Sequence, residues 1–325
     1  MAFDVSTLTD YVIENETALY TKSLFGARTA DLIMESGNVM TGVKNAEQIN
    51  ILGTDAIFQN GDSCTRTSSG TTTVTQRKVT VGAITVVEDW CVKTLRKKYT
   101  GKALPKGSDE NSFAFEKDLV DLKAGTIAEQ LEIALWQGDT GSGDANLNRF
   151  DGFVKLIDAA ASSVGANSAT YIASGAPIAS STGITLSNVK GIVNAMWLAL
   201  PARVAGKDDV RIFCGWDTFN KYVNAYTDQN LFNFAPSGSE VSAENGVVII
   251  PGTNYKLTAV HGLDGTNRLF GMRLSNMYMG TDLENEEEKF SVLPDQFKNY
   301  LHFQADFKAG VNVAFPNEIS QFKLT

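Results

Sequence analysis

The clearest pattern in the chain is an alternation of apolar and polar side chains near its end. Residues 301–308 read LHFQADFK, so every second side chain is apolar. Period-two alternation is typical of a β-strand with one buried face. Gly310 interrupts the run, and alternation resumes over residues 311–315 before Pro316. The pattern predicts two half-buried strands that close the fold, with the terminus built into it and no targeting tail or anchor at this end.

A helical period marks residues 112–137. Asn111 or Ser112 can cap the start of this helix, and Gly138 ends it. At about 1.5 Å per residue the helix would be roughly 40 Å long. Gly125 lies in its interior, which suggests a bend or a close contact there. The apolar side chains that share one face at 100° per residue are Phe113, Val120, Ala124, Ile127, Leu131 and Leu135.

A β-rich segment precedes the helix, over residues 54–92. It is dominated by Thr and Val, which suit a pleated surface, and the turn-forming SSG at residues 68–70 indicates the tip of a hairpin. Few large apolar side chains lie near that tip. The sequence therefore predicts either an arm that lies on something else or an ordinary surface hairpin in a large sheet.

The rest of the chain mixes helices and strands without the regular rhythm of a doubly wound sheet, which predicts the α+β class. Residues 159–183 are rich in Ser, Ala and Gly and predict a loop or weak strands. The elements predicted after them are a helix over 187–200, a strand over 210–214, a short helix capped by Asp217, and strands over 247–250, 255–260 and 268–273.

Composition narrows the class of protein. Hydrophobic residues make up 43% of the 325 residues and charged ones 20%, an ordinary globular mixture. The net charge of −9 argues against generalised electrostatic binding to nucleic acid. Cys64, Cys91 and Cys214 show no metal or redox spacing, which suggests a reducing compartment without a disulfide framework. No apolar run approaches the roughly 18 residues of a membrane span, so a soluble protein made inside a cell is expected.

The search for catalytic chemistry predicts no catalytic, cofactor-binding or metal-ligating residue. The chain has two histidines, His261 and His302, and both positions are typical of solvated side chains. Residues 138–148, GDTGSGDANLN, lack the ligand spacing of a calcium loop and predict a polar turn. A dense acidic run over residues 282–288 keeps a carboxylate-dependent hydrolase open as an alternative.

In the order of its elements the chain resembles the major capsid proteins of tailed bacteriophages, whose shell fold is also seen in herpesviruses and encapsulins. LWQGDTGSGDANLNRFDGFVKLI, residues 135–157, is similar to the family's passage from the spine helix through a G-D turn to an F-D-G-F strand. VRIFCGWDTFNKYVNAY resembles the strand and helix of the axial domain. IIPGTNYKLTAVHGL and MYMGTDLENEEEKF resemble the strands that return from that domain, and FKAGVNVAFPNEISQF resembles the family's usual ending.

The resemblance implies a capsid fold with an N-terminal arm, an extended hairpin loop, a peripheral domain with a spine helix, and an axial domain. It implies self-assembly into hexamers and pentamers, and an icosahedral virion shell made in the host bacterial cytoplasm around double-stranded DNA that is contacted only weakly. It also implies a portal and either a separate scaffolding protein or no scaffolding protein. It leaves open whether decoration proteins bind, and it implies no cofactor and no membrane contact. An encapsulin-like compartment shell and a tail or decoration component remain alternatives. The implied boundaries are 1–53 for the arm, 54–105 for the hairpin loop, 106–150 for the spine helix and peripheral domain, 151–280 mainly for the axial domain, 281–308 for the return strands and 309–325 for the closing strand.

Charge is sorted along the chain in a way that suggests contacts between subunits. Nine basic residues and two acids lie between Arg66 and Lys106, whereas five acids lie between Asp282 and Glu288. We expect the basic hairpin region of one subunit to lie near the acidic segment of the next; the alternative is that both are solvated faces that never meet. The predicted inter-subunit contacts are Arg66, Arg77, Lys78, Lys97, Lys98, Asp282, Glu284, Glu286, Glu287 and Glu288.

Overall fold

The computed structural model describes most of the chain, namely residues 26–60, 69–91, 115–164, 172–173, 176–177, 183–227, 246–282, 290–294 and 300–323. Within these ranges helices and strands are mixed, and the predicted α+β class is confirmed. The helices are α1 Arg28–Glu35, α2 Phe115–Gln137, α3 Phe153–Val164, α4 Val189–Leu198 and α5 Trp216–Thr227, with short 3-10 turns at His261–Leu263, Leu274–Asn276 and Pro316–Glu318. None of the described helices is both long and apolar enough to cross a membrane.

The strands in chain order are β1 Val39–Met40, β2 Ala46–Thr54, β3 Thr72–Thr80, β4 Gly82–Cys91, β5 Ile172–Ala173, β6 Ala176–Pro177, β7 Val210–Cys214, β8 Val247–Ile249, β9 Lys256–Ala259, β10 Leu269–Arg273, β11 Met277–Thr281, β12 Phe290–Pro294, β13 Tyr300–Val313 and β14 Ser320–Phe322. The strands predicted at 210–214, 247–250, 255–260 and 268–273 are confirmed to within two residues at each end.

Strand β13 is the central strand of the first sheet. It pairs antiparallel with β4 along one edge, and β11 and β12 share its other edge. Strand β1 adds to β11 in parallel. A second sheet has the order β14-β10-β7-β9-β8, in which β7 and β9 are parallel. The hairpin β2–β3 and the short pair β5–β6 form two further sheets of two strands each, with no strand pairing to either large sheet among the described residues.

The alternation near the end of the chain is confirmed, but its predicted interruption is wrong. Leu301, Phe303 and Phe307 are buried on one face, and β13 continues through Gly310 as a single strand of 14 residues. A Cβ at Gly310 would lie 2.1 Å from the carbonyl oxygen of Thr80. The glycine therefore permits another segment to lie directly on the strand, and it does not end the strand.

The long helix α2 packs its predicted stripe into the larger of the two main apolar cores. Val120, Ala124, Ile127, Leu131 and Leu135 are all buried there, together with the inner face of β13. The predicted start of this helix and Phe113 lie outside the described residues. Apart from the neighbouring backbone of its own helix, no described heavy atom lies within 4 Å of a Cβ built at Gly125, so the close contact suggested for this glycine is not observed among the described residues.

Two local predictions are corrected. The F-D-G-F segment at residues 150–153 is not a strand, because it leads into the helix α3, which begins at Phe153 and also covers the first part of the predicted loop at 159–183. Phe153, Ile157 and Ala160 are buried at helical spacing, a period the Ser- and Ala-rich composition obscured. Asp217 does not cap α5 but lies in its first turn; Asp264 instead accepts a hydrogen bond from the Trp216 N–H at 2.6 Å.

The second core lies between α4, α5 and the second sheet. Val189, Ile192, Val193 and Met196 of α4 are buried at helical spacing, and Trp197 is half-buried at the edge of the cluster. Helix α4 is shorter than predicted, because it begins at Val189 and ends at Leu198.

Candidate interaction surfaces

The hairpin β2–β3 extends away from both cores. The two strands pair antiparallel from Ala46↔Thr80 to Thr54↔Thr72, eight residues earlier in the chain than the predicted start. Nine residues of strand span about 30 Å. At the outer end Leu52 and Val74 face each other across the ladder and are 68% and 65% exposed.

The connection that follows β2 adds two exposed apolar side chains near this end of the hairpin. Ile57 is exposed and Phe58 is 98% exposed. We define the hairpin tip as Leu52, Ile57, Phe58 and Val74. Large apolar side chains grouped at the end of a projecting element mark a surface that is covered in an assembly.

The base of the hairpin is set directly on the first sheet by a pair of glycines. Gly280 of β11 and Gly310 of β13 are register partners. A Cβ at Gly280 would lie 2.9 Å from Cγ1 of Val79, and one at Gly310 would meet the backbone of Thr80. Because neither strand has a side chain at this point, the chain between β3 and β4 can cross the sheet in contact with its backbone.

Hydrogen bonds also hold the chain where it crosses the first sheet. The Asn312 Nδ2 donates to the carbonyl oxygen of Lys78 at 2.7 Å, and Nη2 of Arg77 donates to Asn312 Oδ1 at 3.3 Å. Burial lowers the pKa of the Arg77 guanidinium. The base of the hairpin is therefore held by its own chain, whereas the side chains of the hairpin tip are exposed.

A groove runs between α2 and β4. Among the described residues β4 pairs only with β13, so β4 forms an edge of the first sheet. Its inward side chains Ile84 and Val86 are half-buried and face Ile127 and Leu131 of α2 across a cavity of about 330 Å³. Phe307 contributes to the lining from β13. We call this cavity the helix–strand groove.

The groove is apolar inside and charged at its rim. Lys123 of α2 forms an ion pair with Glu88 of β4 on one side. Arg149, which is exposed in the loop after α2, adds a positive charge to the lining. Thr126 lies on the exposed side of α2 and also lines the groove.

A buried carboxylate joins α1 to α2. Glu132 is 3% exposed, and its oxygens accept the backbone N–H of Thr29 at 2.9 Å and the Thr29 hydroxyl at 2.6 Å. The Trp136 Nε1 donates to that hydroxyl at 2.7 Å. Burial raises the pKa of Glu132, and the hydrogen bonds from Thr29 partly oppose the rise. The arrangement satisfies an N–H in the first turn of α1 that has no partner in its own helix.

The sequence analysis did not single out Glu132. A glutamate on a long helix is ordinarily solvated, and the apolar face predicted from periodicity does not include this position. The available signal was Ala128 and Trp136 at one helical turn on either side, both of which are buried. These two residues extend the buried face beyond the predicted stripe.

The two histidines lie on the surface and pair with nearby carboxylates. The His261 Nδ1 lies 2.9 Å from Asp264, and its ring stacks on Trp216. The His302 Nδ1 lies 2.5 Å from Asp89 on the outward face of the first sheet. Within the described ranges no group of three or more His, Cys, Asp or Glu side chains could hold a metal ion. Around residues 139–144 the Asp139 carboxylate accepts from the Gly141 N–H and from Lys155, as in a polar turn.

The predicted contact residues fall into three groups. Lys78 is exposed at the base of the hairpin, and Arg77 is half-buried against Asn312. Asp282 is fully buried and accepts a hydrogen bond from Nζ of Lys308 at 3.0 Å within its own chain. The residues that lie outside the described ranges are Arg66, Lys97, Lys98, Glu284, Glu286, Glu287 and Glu288.

The fold is similar to that of chains from phage capsids. A chain of the satellite phage P4 procapsid that includes the size determination protein matches with a TM-score of 0.59 and 9% identity, over 95% of this chain and 90% of that chain. The capsid of cyanophage A-1(L) matches with a TM-score of 0.54 and 11% identity, over 91% and 92% of the two chains. The capsid of Myoviridae phage XM1 matches with a TM-score of 0.53 and 13% identity, over 90% and 91%.

No protein-family model and no curated protein matches the chain. At identities this low the structural likeness establishes the fold. The chain therefore has the fold of phage capsid chains, and the capsid fold that the resemblance implied is confirmed. The boundaries assigned to its arm, hairpin loop and two domains stay predictions.

Proposed function

We propose that this protein is the major capsid protein of a tailed bacteriophage, a structural subunit that assembles with copies of itself into the shell of the virion. The observation that carries the proposal is the likeness in fold to phage capsid chains over at least 90% of this chain. Agreement of this extent between chains that share so few residues reflects a common architecture of helices, sheets and connections.

The projecting hairpin supports the same proposal. A chain that acted as a monomer would gain nothing from an apolar tip beyond its own cores, because exposed apolar surface of this kind lowers solubility. A shell subunit repeats the same contacts around symmetry axes, so each projection can be covered by a neighbour.

The finer form of the proposal is an icosahedral shell of hexamers and pentamers around double-stranded DNA, assembled in the bacterial cytoplasm. The chain's net charge of −9 suits weak contact with the packaged genome, because phosphate contacts come from Lys and Arg. A scaffolding protein, a portal and decoration proteins would be its partners in that setting. The role is structural and not catalytic.

Electron microscopy of the purified, concentrated protein by negative stain tests the proposal most directly. Closed shells, or ring-shaped capsomers that sediment as oligomers, are the expected result. A chain that remains monomeric at the highest concentrations and hydrolyses a substrate would overturn the proposal in favour of a carboxylate-dependent hydrolase.

A second proposal concerns charge between subunits. The basic region between Arg66 and Lys106 of one subunit would lie near the acidic segment 284–288 of the next. Arg77 and Asp282 have partners inside their own chain, so the docking rests on Lys78 and on the charges of the two sequence segments. Exposed pairs contribute only about 0.2–1 kcal/mol each, but repetition over a shell makes the assembly rate sensitive to salt.

Replacing Glu286, Glu287 and Glu288 by Gln tests this charge docking. Assembly followed by light scattering should slow at low salt and change little near 1 M salt, where the screening length falls to about 3 Å. Assembly rates of variant and wild type that agree at low salt would contradict the docking while leaving the shell function intact.

A further inference from the structure

A cysteine, a histidine and an aspartate lie together on the outward face of the first sheet. Strands β4 and β13 pair antiparallel with Cys91 opposite Tyr300 and Asp89 opposite His302. Residues that lie opposite each other, and residues two positions along either strand, point to the same face of a sheet. Cys91 is therefore the diagonal neighbour of His302, at the roughly 7–8 Å that aromatic side chains can bridge. The proposed shell function uses none of these three side chains.

The histidine is oriented to accept a proton. Its Nδ1 lies 2.5 Å from Asp89 Oδ1. In the neutral imidazole that donates Nδ1–H to a carboxylate, Nε2 is the basic nitrogen. An imidazole that lies near a thiol and is oriented by a third group is the arrangement that activates a cysteine as a nucleophile. Asp89 therefore fixes the ring of His302, and His302 can take the proton of the Cys91 thiol.

Small molecules can approach this group of side chains. The Cys91 thiol is half-buried, and both members of the histidine–aspartate pair are exposed. Exposed apolar side chains surround the pair on the same face. Leu293 of β12 lies opposite His302, and Val87 and Tyr300 lie two positions from the pair along β4 and β13. A small molecule with an apolar group can therefore rest on this face beside the thiol.

We propose that Cys91 is a nucleophilic thiol, deprotonated by His302, that exchanges with small disulfides carrying an apolar group and so becomes reversibly S-thiolated. The thiol proton passes to Nε2 of His302. The Cys91 sulfur attacks one sulfur of the disulfide, so that a new S–S bond forms and the old one breaks. The leaving thiolate keeps the electron pair of the broken bond and takes a proton from the imidazolium or from solvent. Cys91 is oxidised, and the departing half of the disulfide is reduced.

The charge of the histidine dominates the expected pH dependence. Among the described residues, the ionisable side chains on this face are Asp89 and Cys91 of β4 and Tyr300, His302, Asp306 and Lys308 of β13. Lys308 is paired with the buried Asp282, and the outward side chains of β12, Ser291 and Leu293, do not ionise. Of these groups only the imidazole has an ordinary pKa near 6.5.

Thiol kinetics on the purified full-length chain test the site. A Cys64→Ser background leaves Cys91 and Cys214, and burial raises the pKa of the Cys214 thiol, which keeps it unreactive in the folded protein. The probe is dithiodipyridine, a neutral aromatic disulfide that the acids on this face do not repel, and absorbance measures the thiopyridone that it releases. The test variant is His302→Gln. The matched control is His261→Gln, which removes the other surface histidine that pairs with an aspartate.

The size of the expected difference follows from the protonation of a thiol. At pH 6 an ordinary thiol of pKa about 8.5 is about 0.3% thiolate. A proton acceptor that raises this fraction to about 10% increases the rate roughly thirtyfold, and the weaker nucleophilicity of a more acidic thiol reduces that gain about fivefold. His302→Gln should therefore react about five times more slowly than its background at pH 6, and the difference should vanish by about pH 8. His261→Gln should react at the background rate at every pH.

Equal rates for His302→Gln and its background at pH 6 would overturn the proposal, as would peptide mass spectrometry that finds no mixed disulfide at Cys91. Asp89→Asn keeps the imidazole but removes the carboxylate that orients it, and an intermediate fall in rate is expected. Urea midpoints equal to that of the background, as expected for exposed side chains, show that the rates refer to folded protein. Because the chemistry is measured on the unassembled chain, its failure would leave the proposed shell function standing.

Discussion

Replacing Gly310 by Ala tests how the hairpin is held against the first sheet. The added Cβ would lie 2.1 Å from the Thr80 carbonyl oxygen and 2.9 Å from Cα of Val81. An ordinary contact begins near 3.4 Å, so the shortfall at the oxygen is about 1.3 Å. Both opposing atoms belong to the backbone, and neither can rotate away as the end of a side chain would. The chain between β3 and β4 must therefore shift off the sheet.

The cost can be worked from the contacts that such a shift disturbs. Overpacking of a buried site costs about 1–3 kcal/mol. Displacing the crossing also stretches the 2.7 Å hydrogen bond from Asn312 to Lys78, which contributes about 1 kcal/mol. Ala regains at most about 1 kcal/mol by restricting the unfolded chain. The expected net loss is about 2 kcal/mol in the free energy of unfolding.

Urea unfolding of the unassembled protein, followed by tryptophan fluorescence, measures this loss. Gly125→Ala is the matched control, because its added Cβ meets no described heavy atom within 4 Å apart from the neighbouring backbone of its own helix. The control should unfold at the wild-type midpoint or gain up to about 1 kcal/mol. An unfolding midpoint for Gly310→Ala equal to that of wild type would refute the reasoning about the glycine crossing.

Three further substitutions test the roles of buried side chains. Leu131→Ala should lower the free energy of unfolding by about 2–5 kcal/mol because its side chain is buried in the first core, and a wild-type urea midpoint would contradict that assignment. Asp282→Asn should cost up to about 3 kcal/mol by removing the buried carboxylate that pairs with Lys308, and a neutral result would show that the pair is not structural. Burial raises the pKa of Glu132 above the value of about 4.3 expected in the unfolded chain, so the folded state binds the carboxyl proton more tightly than the unfolded state does. As pH rises from about 4.3 to the raised pKa, wild type should therefore lose stability relative to Glu132→Gln. A difference in the free energy of unfolding between the two proteins that stays constant over this pH interval would contradict the raised pKa.

Elements whose pattern repeats along the chain were predictable from the sequence. The alternation of residues 301–308 depends on neighbours two positions apart, and the stripe of α2 on neighbours three and four apart, so both signals are local. The same holds for the strand at 210–214. The order of these elements also carried the resemblance to phage capsid proteins.

Features that depend on residues distant in sequence came only from the tertiary structure. A glycine in an alternating run is a local sign of interruption, but Gly310 is required by the backbone at Thr80, some 230 residues earlier in the chain. Glu132 is buried because Thr29, 103 residues away, supplies its donors. The groove between α2 and β4 exists because β4 pairs with β13 and leaves its other edge open among the described residues. Periodicity records which face of an element is apolar, whereas the identity of the partner on that face is decided by the packing of the whole chain.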